Sequence, residues 1–247
     1  MTAGILLHDR GLALEATWHG HKNYKIVPKI GAEDVGEILG HHWIRRQAVV
    51  TLTDPKTGEL MRDENGDILL LPIENTQGFV NSRTLTVPGR HSDGYAPNQP
   101  DLFVEMAEIL IEFGLTVATV GTIHNTAKWF LSAQMPDDFN FDFNGKEMIL
   151  SMLNFGDSID GKSKFMGANA QHRIQCANTF RSELLGRPHM FAIKHTVNGV
   201  IEADAVVRNL ENALAEQRKI NETVERLIET SFTEAEFIKI TKDVMGD

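Results

Sequence analysis

One cysteine, Cys176, stands in a chain of 247 residues. A lone thiol closes no internal disulfide and builds no cysteine-based zinc site. That usage suits a reducing interior. No window approaches the roughly 18 uninterrupted apolar residues that a membrane-spanning helix needs. The first residues, MTAGILLHDRGLALEATWHG, lack a basic start followed by a long apolar run, so a signal peptide is not expected. There is no GxxxxGK(S/T) loop, no GxGxxG after a strand, no GxSxG elbow and no HExxH helix. Those absences count against the common NTPase, dinucleotide-dependent, hydrolase and zincin classes. Fixed-period repeats and low-complexity tracts are missing too.

What is present is ordinary globular composition, 42% hydrophobic and 23% charged, in a chain long enough to bury a real core. The net charge of −10 argues mildly against a nucleic-acid partner. Its distribution softens the argument. Residues 101–150 carry two Lys/Arg against eight Asp/Glu, whereas residues 151–200 carry six against three. A local basic face on an acidic protein is compatible with that pattern.

The element reading is α+β: an antiparallel β-meander core, a mid-chain helix and a long C-terminal helix. Residues 32–41 read as a short helix. Residues 47–53, 68–73 and 79–87 read as strands joined by turns at 54–59 and 63–67, where Gly58 and Asn65-Gly66 favour tight reversals. Residues 88–101 read as loop. Leu102, Phe103, Met106, Ile109, Leu110 and Phe113 fall at helical spacing before Gly114. Strands are expected at 115–121, 127–133 and 147–155, a turn at 155–163, a strand running into a helix over 164–185, and a strand at 189–196. Residues 200–229 predict an amphipathic helix roughly 45 Å long. Thr233 and Glu236 have capping-box spacing for a last helix over 234–245. The organisation expected is one α+β domain over 1–230 and a helical extension over 231–247.

Several residue groups carry chemistry. His19 and His21 would share a strand face and could ligate one metal with Asp9, His41 or His42; the plainer reading is loop histidines. Cys176 near His172 has the look of a nucleophile and base, but a lone cysteine among apolar neighbours is more often a small core residue. Asp157 with Asp160, and Asp137 with Asp138, are carboxylate pairs suited to Mg²⁺; turn chemistry is the preferred account of both. The segment from Asp160 to Thr196 interleaves Lys162, Lys164, His172, Arg173, Arg181, Arg187, Lys194 and His195 with Phe165, Phe180 and Phe191. Basic groups for phosphates and aromatic faces for bases are what single-strand binding requires. Gln175, Asn178 and Thr179 add neutral hydrogen bonds. Lys128 with Trp129, and Trp18, supply further cation and aromatic candidates, although flanking Phe130 and Leu131 suggest core burial for Trp129.

Four stretches occur in a telling order: Trp18-His19-Gly20, Gly156-Asp157-Ser158-Ile159-Asp160-Gly161-Lys162-Ser163, Arg173-Ile174-Gln175-Cys176-Ala177-Asn178-Thr179 and Lys194-His195-Thr196. With them the chain resembles the phage- and plasmid-borne family catalogued as domain of unknown function 932. The resemblance spans about residues 15–215, and the Arg173–Thr179 run with His195-Thr196 is its most specific part. It departs at Gly121–Thr126, where one glycine stands in place of the family's glycine-rich turn, and residues 88–100 and those after 230 are not matched. The resemblance implies a place among phages, prophages and plasmids but assigns no function. A strand-rich core with a long helix is also similar, by fold-level analogy, to phage single-strand annealing proteins.

The expectation is therefore a nucleic-acid-binding protein rather than an enzyme, annealing or protecting single strands. It would act in the host cytoplasm, as a homo-oligomer, without a cofactor unless Mg²⁺ joins. Its groove would be lined by Lys162, Lys164, Arg173, Arg181 and Lys194. Two readings stand beside it: a metal-dependent enzyme acting on nucleic acid through His19/His21 or Asp157/Asp160, and an acidic inhibitor that binds a host defence protein.

Overall fold

The computed structural model describes residues 10–14, 24–40, 42–143, 147–186, 189–196, 203–229, 233 and 236. It is mixed α+β with mostly antiparallel sheets. The chain runs β1 (Gly11–Ala13), β2 (Tyr24–Ile26), α1 (Ala32–Leu39), β3 (Trp43–Thr51), β4 (Leu70–Asn81), β5 (Arg90–Ser92), α2 (Asp101–Glu112), β6 (Thr116–Ile123) and β7 (Lys128–Gln134). After these come β8 (Phe141–Phe143), β9 (Glu147–Ile149), β10 (Met152–Ser158), β11 (Phe165–Ala170), α3 (Ala177–Phe180), a π-helical turn (Arg181–Leu185), β12 (Phe191–Ile193) and α4 (Ala203–Glu229).

A seven-stranded sheet in the order β12-β11-β10-β7-β6-β1-β2 organises the molecule. From β6 to β12 its neighbours pair antiparallel; at the far edge β1 and β2 pair parallel. Strands β3, β4 and β5 form a second sheet, and β8 pairs with β9. Both faces of the large sheet are covered. On one face Val120, Trp129, Leu131, Leu153, Phe155 and Phe165 meet Val35 and Leu39 of α1, Phe103 and Met106 of α2, and Leu210 and Ala213 of α4. There Trp43 of β3 stacks on Trp129 with ring centroids 6.0 Å apart. On the other face Ile123, Phe130, Met166 and Ala168 pack against Ile174, Phe180 and Leu184. The strict alternation of Trp129 and Leu131 with Phe130 along β7 assigns the two faces.

α4 is pinned through polar side chains. Gln217 Nε2 donates to Ser151 Oγ at 3.3 Å and Asn221 Nδ2 donates to the Phe139 carbonyl at 3.0 Å. These two residues interrupt the apolar stripe in the sequence, and this is the purpose of the interruption. Thr233 and Glu236 exchange capping bonds at 2.9 and 3.4 Å; the rest of the helix expected over 234–245 lies outside the described residues.

Two expectations are corrected. The strand expected over 79–87 ends at Asn81, whose Oδ1 accepts from the amides of Arg83 and Thr84 at 2.9 and 3.0 Å and bends the chain, with Leu85 at φ +56°. The turn expected from 155 begins only after Ser158. Gly156 is a mid-strand glycine: a Cβ there would stand 2.3 Å from Leu184 Cδ1 and 2.6 Å from Phe180 Cε2. It is needed for close packing, not for reversal.

Beyond Thr51 the strand pair continues as an arm through bridges Thr53–Leu60 and Arg62–Ile68. Val50 pairs with Leu71 and Thr51 with Leu70, so the arm carries Val50 and Leu71 on one face and Val49 and Leu70 on the other. All four are exposed.

Candidate functional site

Two of the four stretches singled out in the sequence, Gly156–Ser163 and Lys194–Thr196, meet inside the protein. His195 Nε2 lies 2.5 Å from Asp157 Oδ1, and both side chains are almost wholly enclosed. Asn98 Nδ2 donates to Asp157 Oδ2 at 2.8 Å and the Ser158 amide donates to Oδ1 at 2.6 Å. Tyr95 leans on His195 at 5.3 Å, stacks on His91 at 4.0 Å, and donates its hydroxyl to the Ser158 carbonyl at 3.1 Å. Burial raises the Tyr95 phenol well above its ordinary value, and Asp157 and Asp160 add to the effect. Burial lowers the His91 imidazole, opposed by its hydrogen bond to the Ile159 backbone and by Asp160. Among the described residues the pair is shut in, with His195 8% exposed and Asp157 fully buried. The cluster fastens the end of β12 to β10 and to the 95–98 loop.

The exposed chemistry lies on the opposite sheet face, at the two ends of β7. At its start, the tight β6–β7 turn holds His124, Asn125 and Thr126 all at positive φ, between +57° and +64°. Three consecutive non-glycine residues in that region are costly, and such strain concentrates at functional sites. This turn, the 86–88 loop and the 160–162 turn enclose a polar cleft of about 540 Å³, lined by Thr86, His124, Asn125, Lys128, Asp160 and Lys162 among others. Lys128 is largely buried, and its Nζ stands 5.4 Å from the centre of the Phe180 ring. Burial lowers its pKa; Asp160 opposes this and Lys162 reinforces it.

At the other end of β7 a second pocket of about 430 Å³ opens beneath the helical segment 177–185. Leu14, Ala118, Leu150 and Met152 give it apolar walls, while Gln134, His172, Arg173, Gln175, Thr179 and Glu183 face it with polar groups. Glu183 is buried, on the π-helical turn. Its Oε1 accepts from Ser182 Oγ at 3.4 Å and lies 3.7 Å from His172 Nδ1. The segment is seated by the Ile174 amide donating to Ser132 Oγ at 2.8 Å and by Asn154 Nδ2 donating to the His172 carbonyl at 2.7 Å.

The structure does not gather the expected basic residues into one groove. Lys128 and Lys162 line the first cleft; His172, Arg173, Gln175 and Thr179 line the second. Asn178 and Arg181 are exposed on the segment between the two, and Lys164 and Lys194 are exposed outside both linings. His195 is a buried partner of Asp157, not a surface contact. Trp129, Phe165 and Phe180 are buried to within 2% and offer no face to a base, because the sheet is covered on both sides. Asp157 has its oxygens engaged by Asn98, Ser158 and His195, so it forms no carboxylate clamp with Asp160, whose Oδ1 accepts from the Lys162 amide at 3.0 Å in a turn. Asp137 accepts from Asn140 Nδ2 at 3.2 Å, again turn chemistry. Among the described residues no three His, Cys, Asp or Glu side chains come together as metal ligands. Cys176 is a buried free thiol. Trp18, His19, His21, His41, Asp9 and Arg187 lie outside the described residues.

Sequence reasoning missed Glu183, Gln134 and Thr86. Glu183 had a signal: it is the lone acid between Asp160 and the end of the basic segment.

The chain belongs to the family described as Domain of unknown function (DUF932), whose model matches residues 88–247, about two-thirds of the sequence. The match therefore takes in the 88–100 loop and the residues after 230, which the motif resemblance left out, and does not extend to Trp18-His19-Gly20. No curated protein and no solved structure matches the chain.

Proposed function

We propose that this member of the family binds single-stranded nucleic acid over the 172–185 segment that covers one face of the large sheet, from the cleft at the start of β7 to the pocket at its end, annealing or protecting strands during phage or plasmid recombination and replication. One observation supports the reading: Lys128 and Lys162 line a cleft at one end of β7, His172 and Arg173 line a pocket at the other, and Lys128 and Gln134, six residues apart on β7, point to the same sheet face. Six residue steps separate Lys128 from Gln134, which is about 20 Å of strand and the span of a few nucleotides. Arg181 and Asn178 sit on the segment that joins the two ends. Phosphates would be held at the Lys128–Lys162 cleft, where Asn125 and Thr86 add neutral donors.

Such binding needs no nucleotide hydrolysis. With a net charge of −10, a monomer would bind weakly and lose affinity steeply with salt. Self-association that aligns several basic faces would counter this, and the β3–β4 arm, apolar and exposed on both sides, supports it. Photocrosslinking of a 4-thiothymidine-substituted strand, followed by mapping of the modified peptides, tests the face. Adducts are expected within 124–128, 160–162 and 172–183. Adducts confined to the arm or to α4 would contradict it.

A further inference from the structure

We infer that two copies of this chain pair through their arms, laid antiparallel with the inward faces of the β3–β4 ribbon together; this develops the self-association proposed above and does not depend on strand binding. The inward face is defined at the base of the ribbon. There Trp43 pairs with Asn81, Arg45 with Phe79 and Gln47 with Gln77. Trp43, Phe79, Gln77 and Asn81 are buried, and the two aromatic rings belong to the main core. Alternate residues of a strand share a face, and cross-strand partners point the same way. Val49, Thr51 and Thr53 follow Gln47 on the inward face. Leu70 stands opposite Thr51 and Leu60 opposite Thr53, and Ile68 lies two residues from Leu70. The face that fills the core at its base therefore runs on, still apolar, beyond the body of the protein. Val49, Leu60, Ile68 and Leu70 are each between 39% and 52% exposed.

A ribbon this narrow is marginal alone in water and gains stability by covering its apolar face. Two features select a second copy as the cover. The first is area. With the exposed Thr51, Thr53, Arg62 and Pro72 between the apolar side chains, the inward face presents on the order of 600 Å² per copy, so a pair buries about 1,200 Å², the lower bound of a specific, stable interface. The second is charge. Residues 54–67 at the tip carry five Asp/Glu against two Lys/Arg, whereas the base carries Arg45 and Arg46, both exposed. Antiparallel arms bring the acidic tip of each copy to the arginines of the other. Parallel arms would set tip against tip and like charges together. Each contact of such an isologous pair is made twice. Arg45 Nη2 lies 3.6 Å from Asp93 Oδ1, with both side chains exposed; a pair of that kind holds weakly and leaves the guanidinium able to meet a second carboxylate. From Arg45 to Thr53 the strand runs roughly 26 Å, which keeps the two bodies apart.

The test is sedimentation velocity of the full chain over a concentration series, without nucleic acid, for the wild type and two doubly substituted variants. Val49→Lys with Leu70→Lys charges the inward face; Val50→Lys with Leu71→Lys charges the outward face. The wild type is expected to sediment as a dimer, the inward variant as a monomer and the outward variant as a dimer. A wild type that stays monomeric, an inward variant that stays dimeric or an outward variant that falls apart overturns the inference. A third variant leaves the apolar face intact. Arg45→Glu should weaken the dimer about 10-fold, and adding Asp63→Lys and Glu64→Lys should restore it. Weakening without restoration overturns the antiparallel arrangement. Because no strand is present, a negative result leaves strand binding to its own test.

Discussion

The ammonium of Lys128 stands 5.4 Å from the centre of the Phe180 ring, and this contact joins the two ends of the candidate surface. The lysine opens onto the polar cleft; the phenylalanine belongs to the segment that roofs the apolar pocket. Burial disfavours the charged lysine, and the ring face partly compensates. For a base with a lowered folded-state pKa, the unfolded chain binds more protons between the two values. Stability therefore rises with pH across that window. Lys128→Met is expected to leave the thermal midpoint at neutral pH unchanged or raised while weakening strand binding about 3- to 10-fold. Differential scanning fluorimetry and anisotropy on one preparation check both. A lowered midpoint with unchanged binding would assign the lysine a purely structural role.

His195→Ala removes one partner of an enclosed hydrogen-bonded pair and leaves Asp157 with only Asn98 and Ser158 as donors. A loss of about 3 kcal/mol is expected, read from urea unfolding. Strand binding by the folded fraction should be retained, since the pair faces away from the β7 surface. A large loss of binding without loss of stability would return His195 to the interface.

Tyr95 governs the alkaline limit. Its raised pKa means that the folded state favours the neutral phenol. The stability this provides is complete below the ordinary tyrosine value of about 10 and is lost as pH climbs towards the folded value. Wild-type protein should therefore lose stability above about pH 10 more steeply than Tyr95→Phe. The variant itself should cost about 1 kcal/mol at neutral pH through the bond to the Ser158 carbonyl. Parallel pH profiles of the two would show no divergence if the phenol titrates normally.

The arm gives a prediction about assembly. Leu70→Lys with Leu71→Lys places a charge on each arm face, where neither side chain contributes to the core. Sedimentation velocity is expected to shift towards monomer with the thermal midpoint within about 2 °C of wild type. An unchanged sedimentation coefficient would remove the arm from self-association.

Much of this architecture is written in local pattern. The Leu102–Phe113 spacing marks α2, and Trp129, Leu131 and Ala133 alternate along β7 as a buried strand must. Reading stops where meaning depends on what arrives from elsewhere. Gly156-Asp157 looks like a turn until Phe180 and Leu184 are seen resting on the glycine. Asp157 and His195 are legible as unusual residues, but only the register of β10 places the carboxylate on the inner face. The phenylalanines of the basic segment alternate with cations as a stacking platform would, yet the sheet is covered on both sides: Phe165 and Phe180 are core, and Phe191 packs half-buried against it. Glu183 is one acid among basic neighbours in the sequence, and becomes a pocket residue only through the π-turn.

The central claim is that the surface from the cleft at the start of β7 to the pocket at its end binds single strands. The most direct measurement is anisotropy of a labelled single-stranded oligonucleotide against a duplex control, at two salt concentrations, for the wild type and for Lys162→Ala with Arg173→Ala. The account predicts preference for the single strand and a steep fall with salt. In the double variant the slope of log affinity against log salt should be shallower by about two. Equal affinity for duplex, or a slope untouched by removing both residues, would contradict it.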